Sequence, residues 1–192
     1  DVLNINKVPD FDELNAVLGN KHGWSIEVVK GLIPVDEFFI LLSKKKFSAS
    51  TWLRTMEQLD YLDEPDMFHD IFGHIPLLMN EDFSNFAQGI GNIALNYLDN
   101  EHVLVKLQRI YWFTIEFGLI NENNQTKGYG AGIMSSFGET NHIFEDDITI
   151  HPFDIEKVIE KEFISTEIQN EYVIIDSYSQ LFESLNKLEK II

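Results

Sequence analysis

Cysteine is absent from the 192 residues. That excludes a disulfide framework, a thiolate zinc site and a thiol nucleophile. It also suits a reducing compartment, and the protein is expected in the cytoplasm. Positive charge is scarce: 14 Lys and Arg stand against 32 Asp and Glu, for a net charge of −18. A chain this acidic repels phosphate backbones and anionic membrane surfaces, so neither nucleic acid nor membrane is expected as a partner. No apolar run approaches the roughly 20 residues that span a bilayer. The opening Asp1-Val2-Leu3-Asn4 has neither the basic nor the apolar region of a secretory signal. It also lacks an initiator methionine, so an N-terminal part is expected to be trimmed.

Linkers rich in Gly, Pro or Ser, internal repeats and long charge blocks are missing too, which leaves one continuous domain over 1–192 as the expectation. Apolar residues make up 44% and charged residues 24% of the chain, ordinary for a packed globule. Asp10 with Glu13 three residues on reads as a helix cap. Hydrophobic spacing predicts helices over 35–45, 64–73, 82–98, 103–117, 154–162 and 178–192. The last of these places Leu181, Phe182, Leu185 and Leu188 on one side. Short strands are expected at 24–29 and 171–176, and 121–132, rich in Asn and Gly, reads as a loop. The expected fold class is mainly α with a few short strands.

Two of the six histidines lie close together, in His69-Asp70-Ile71-Phe72-Gly73-His74. Five residues along an α-helix turn through about 500°, which leaves the two imidazoles about 140° apart around the axis. Gly73 offers a way out. Glycine commonly ends a helix in a left-handed conformation, and Pro76 discourages continuation. A helix that stops at Gly73 would let the chain turn His74 back towards His69. The spacing differs from that of a His-Glu-x-x-His zinc motif. A further donor is available in Tyr111-Trp112-Phe113-Thr114-Ile115-Glu116-Phe117-Gly118, where Glu116 sits inside an apolar run and must find a partner. That partner is either a metal or a Lys or Arg side chain. The other histidines, His22, His102, His142 and His151, have no partner pattern and read as structural.

Three long segments together carry a family resemblance. They are Glu64-Pro65-Asp66-Met67-Phe68-His69-Asp70-Ile71-Phe72-Gly73-His74-Ile75-Pro76-Leu77, then 111–119, then Tyr129-Gly130-Ala131-Gly132-Ile133-Met134-Ser135-Ser136-Phe137-Gly138-Glu139. In order and spacing the chain resembles the catalytic domain of the pterin-dependent aromatic amino acid hydroxylases, with the bacterial phenylalanine 4-hydroxylases the most similar branch.

The resemblance implies a single catalytic domain of that type. It would use non-haem Fe(II), O2 and tetrahydrobiopterin or a related tetrahydropterin to convert L-phenylalanine to L-tyrosine. It implies His69, His74 and Glu116 as iron ligands. Trp112, Phe117, Gly132, Ser135 and Ser136 would line the substrate pocket, with Arg54 gripping the amino acid carboxylate. The pterin would lie on Gly31, Leu32, Ile33, Phe38 and Asp70. The oxidising chemistry would reside at the metal, with no separate side-chain base. No counterpart of the animal enzymes' regulatory domain or tetramerisation tail is present, so a monomer is expected. Other readings remain open on the residues alone: tryptophan or tyrosine as the ring, a zinc hydrolase on the same three ligands, or a non-catalytic binder.

Overall fold

The computed structural model describes Leu3, residues 6–62 and residues 64–192. The first helix, α1 (Phe11–His22), starts where Asp10 accepts the backbone N–H groups of Asp12 and Glu13, and stops at Gly23 in the left-handed region, φ 73°. This is capping chemistry that the sequence announces. Strand β1 (Ser25–Val28) then pairs in parallel with β2 (Lys46–Ala49) through the crossover helix α2 (Val35–Ser43). Strand β2 was not expected from the sequence. Its four residues alternate between half-buried and buried, too short a run to announce itself. The loop that leaves β1 at its carboxyl end, together with α2, forms one lip of the central cavity.

The segment expected as a helix over 64–73 winds only from Met67 and does not end at Gly73. Its 69–74 part (His69–His74) is a π-helix, and Ile75 beyond it is still right-handed. Gly73 is not among the residues with positive φ. Its role is closeness rather than a turn. A Cβ there would sit 2.8 Å from the Cβ of Ala131 and 3.0 Å from its Cα, so only glycine lets α5 (Ala131–Met134) rest on this segment.

Helices α3 (Glu81–Ala94) and α4 (Glu101–Tyr111) follow, each begun by an asparagine whose side chain accepts a first-turn N–H. The expected helix over 103–117 changes winding at its end: Trp112–Glu116 is a second π-helix, closed by the Phe117 N–H bonding the Trp112 carbonyl at 2.8 Å.

The expected loop at 121–132 is instead mostly a hairpin. Strands β3 (Gly118–Glu122) and β4 (Gln125–Gly128) pair antiparallel across Asn123 and Asn124, both with positive φ (54° and 60°). Two consecutive left-handed residues make the tight turn whose twist matches a hairpin, and asparagine tolerates that conformation. β3 continues into a four-stranded sheet of order β4-β3-β6-β5, with β6 (Glu171–Ile175) parallel to both β3 and β5 (Thr149–Pro152). Short helices α6 (Phe137–His142) and α7 (Ile155–Val158) lie between these strands, α7 covering half the range expected for it.

The terminal helix α8 (Tyr178–Ile191) buries Leu181 and Leu188 as expected, but Phe182 is 41% exposed. One core runs from Leu14 to Leu188, and a smaller one gathers Phe117, Leu119, Ile133, Ile143 and Tyr172 beneath the sheet. No helix among the described residues is long and apolar enough to cross a membrane.

Candidate metal centre and pocket

The two π-helices face each other and aim three donor atoms at one point. Nε2 of His69 and Nε2 of His74 lie 3.1 Å apart. Glu116 places Oε1 3.1 Å from His74 Nε2 and Oε2 3.4 Å from His69 Nε2. The physical reason is the winding. In an α-helix residues five apart diverge, whereas a π-helix closes its hydrogen-bonded ring between i and i+5, so His74 comes round almost over His69. The pair converges because the helix widens, not because it stops.

The electrostatics suit a cation. Burial pushes the His69 imidazole down to about 4, despite the opposing pull of Glu116, so it is neutral and offers a lone pair. Burial alone would raise Glu116. The neighbouring His74 and His69 rings, a His74 hydrogen bond and the Gly132 N–H outweigh that and hold it below the usual carboxylate range. Glu116 has no Lys or Arg partner among the described residues, so the ion-pair alternative fails.

Two buried imidazole nitrogens and one carboxylate oxygen at these separations match the donor set of non-haem iron. With bonds of about 2.1 Å, neighbouring corners lie about 3.0 Å apart in an octahedron and about 3.4 Å in a tetrahedron. His69 is further fixed by Ser135, whose Oγ lies 2.9 Å from Nδ1. His74 Nδ1 is buried without a hydrogen-bond partner among the described residues. A second cluster, His142, Glu145 and Asp147, lies on an exposed turn, and Glu145 and Asn170 already engage both of its imidazole nitrogens.

The three donors open into a cavity of about 380 Å³ lined by every substrate and pterin residue expected from the sequence. Trp112 and Phe117 form one wall, ring centroids 4.5 Å apart, and Phe163 stacks on the indole at 4.4 Å and 16°. Gly132 is obligatory here: a Cβ would sit 2.5 Å from the Phe117 ring.

Arg54 is not the surface charge its type would suggest. Its Nε and Nη2 bond the Asp66 carboxylate at 3.0 and 2.7 Å, and Nη1 donates to the Ser135 carbonyl. Three of the five guanidinium N–H groups are thus used and two remain for a ligand. Ser136 lines the cavity, but its hydroxyl is spent on the Asp60 carbonyl and on capping α6 through the Glu139 N–H.

On the opposite lip, Gly31 (φ 155°), Leu32 and Ile33 follow β1. Phe38 packs edge-on against Tyr111, centroids 4.9 Å apart. Asp70 accepts the Ser50 N–H at 2.7 Å, and burial raises its carboxyl to about 6. Sequence reasoning did not single out Phe163 and Gln169. Both lie on an irregular segment without a motif, where only the folded chain brings them to Trp112.

Residues 2–192 match the family described as biopterin-dependent aromatic amino acid hydroxylase. The chain is 41% identical over 182 residues to the phenylalanine-4-hydroxylase of Vibrio cholerae, and 41% identical over 185 residues to that of Chromobacterium violaceum. It spans 62% and 61% of those proteins' lengths, and the alignments cover 94% and 95% of this chain. The crystal structure of the C. violaceum phenylalanine hydroxylase with bound iron(III) and 7,8-dihydrobiopterin superposes with TM-score 0.91 at 39% identity. That superposition covers 98% of this chain and 69% of the other. The apo cold-active enzyme from Colwellia psychrerythraea gives 0.89 at 39%, covering 99% and 71%. A family match over nearly the whole chain, on a fold that folds two facing π-helices around one donor set, leads to one assignment: the chain belongs to the biopterin-dependent aromatic amino acid hydroxylases.

Proposed function

We propose that this chain is the catalytic domain of a phenylalanine 4-monooxygenase that converts L-phenylalanine to L-tyrosine with O2 and a tetrahydropterin. The observation that carries the reading is the convergence of His69, His74 and Glu116 on the floor of a cavity with one aromatic wall. The relatives of about 40% identity, one of them with iron and dihydrobiopterin bound, support it. Iron(II) with a reduced pterin supplies the activation of dioxygen and the oxidation of the ring.

The chain supplies position and dryness. His69, His74 and Glu116 hold the metal by one face and leave the other to the cavity. Arg54, braced by Asp66, would receive the substrate carboxylate on the guanidinium N–H groups that Asp66 and Ser135 leave free. Trp112 and Phe117 take the ring, with Gly132 giving Phe117 room, while Ser135 orients His69. Ser136 acts through the α6 cap rather than by touching the ligand. Gly31, Leu32, Ile33, Phe38 and Asp70 receive the pterin, whose flat ring has Phe38 to stack on. No side-chain base is required.

The test is tyrosine formation by purified protein with Fe(II), a tetrahydropterin and air, beside His69→Ala. Tyrosine from the wild type alone is expected. No tyrosine from an iron-loaded protein would transfer the site to tryptophan or tyrosine as the ring, and failure to bind iron would reopen a zinc hydrolase.

Phe38→Ala is expected to raise KM for the tetrahydropterin roughly three- to tenfold, the worth of one aromatic stacking contact. KM for phenylalanine should stay within about twofold. Steady-state kinetics with each substrate varied in turn checks this, and an unchanged pterin KM removes Phe38 from the pterin site.

The same reading makes the protein a cytoplasmic monomer. The absence of cysteine suits that setting, and a net charge of −18 opposes self-association. Light scattering at the mass of two chains would overturn the monomer.

A further inference from the structure

Trp112 forms the cavity wall, and one buried residue sets the plane of its indole. Gln169, only 7% exposed, accepts the Trp112 Nε1–H on its Oε1 at 3.0 Å. Its Nε2 donates to the carbonyls of Ile164 and Glu167, both at 2.8 Å. The amide can lie only this way round. Two carbonyls demand donors on one side, and an indole N–H demands an acceptor on the other.

The backbone N–H of Gln169 in turn bonds Oε1 of Glu139 at 2.8 Å, and Oε2 of that buried carboxylate takes the Tyr172 hydroxyl at 2.5 Å. A continuous line of buried hydrogen bonds therefore runs from α6 and β6 to the π-helix that carries Glu116. The segment that Gln169 folds back on itself also bears Phe163, the ring stacked on the indole. Both constraints on Trp112, its edge and its outer face, thus depend on one glutamine.

We propose that Gln169 is a positioning residue for the aromatic wall, holding the Trp112 indole in the plane against which the substrate ring packs. The inference rests on the hydroxylase reading for its kinetic half only.

The first test is Gln169→Met, which keeps the volume and removes the hydrogen bonds. In the metal-free protein the Trp112 indole N–H resonance is identified by its loss in Trp112→Phe. In Gln169→Met it is expected to move upfield and to lose its protection from hydrogen exchange. An indole signal unchanged in position and protection overturns the proposal, whatever reaction the protein proves to catalyse.

In the loaded enzyme, Gln169→Met is expected to raise KM for phenylalanine about five- to tenfold with KM for the pterin within about twofold. In a Trp112→Phe background, which has no indole to hold, it should add less than about twofold. An equal rise in both backgrounds would show that Gln169 acts through the fold at large and would overturn the proposal. If Gln169→Met does not fold, Trp112→Phe breaks the same bond from the other side. A phenylalanine KM unchanged in that variant, with a wild-type circular dichroism spectrum, overturns it as well.

Discussion

Replacing Glu116 by alanine is expected to abolish metal loading and to lower tyrosine formation by roughly a thousandfold or more, since one of only three protein donors is lost. A purely structural carboxylate would behave differently. Breaking a buried ion pair costs about 3–5 kcal/mol. Glu116 has no Lys or Arg to abandon, only two imidazoles, one of them pushed down to about 4 by burial. The metal-free variant should therefore melt close to the metal-free wild type. Iron analysis, product formation and calorimetry on the same preparations check all three statements. An iron-loaded, active variant would remove Glu116 from the ligand set.

Asp66→Ala is expected to cost stability rather than metal. Asp66 is wholly buried and accepts four hydrogen bonds: from the Arg54 backbone N–H at 2.8 Å, from two guanidinium N–H groups at 3.0 and 2.7 Å, and from the His69 N–H at 2.9 Å. Removing it strands a guanidinium that is only 5% exposed, for a loss of about 3–5 kcal/mol and a Tm lower by roughly 6–20 °C.

The pH dependence has a definite sign. Burial would raise the Asp66 carboxyl, but Arg54 and the backbone donors outweigh it and hold the group below its ordinary value of 3.8. A carboxylate depressed in the folded state contributes stability that is present above the unfolded pKa and is lost as pH falls through the folded one. Wild type should therefore lose part of its stability below about pH 4, a loss that Asp66→Ala has already taken. Urea titrations across pH 2–7 would show the two curves converging in acid. Parallel curves would mean that the Asp66 carboxyl is not depressed on folding, and coincident curves that the pair contributes nothing to stability.

Much of the site could be read from the chain before folding, because its chemistry is local. His69 and His74 are two of six histidines, Glu116 is a carboxylate set in an apolar run, and Asn80, Asn100 and Ser177 begin helices by the same capping rule as Asp10. The winding could not be read, because it depends on partners distant in sequence. Gly73 looks like a helix terminator until Ala131, nearly sixty residues on, is seen resting against it. The Asn-Asn pair looked like loop for want of the second strand across from it. Ser136 looked like a pocket hydroxyl, and its commitment to Asp60 emerges only in three dimensions. Asp66 and Gln169 are ordinary polar residues whose importance lies wholly in what they are buried against.

The two π-helices place a limit of a different kind on this family of folds. A substitution alters what a position carries, whereas a change of winding alters where every following position points. Each of the two helices closes its hydrogen-bonded ring one residue later than α winding does, and that surplus brings His74 round to His69 and Phe117 round to Trp112. Relaxing the 69–74 segment to the commoner α winding, with no residue lost, would carry His74 about 140° around the axis from His69. The histidines would survive in the sequence and the helix would gain better hydrogen bonds, yet the two would no longer share a target. The winding of this segment is therefore as much a part of the site as the histidines themselves.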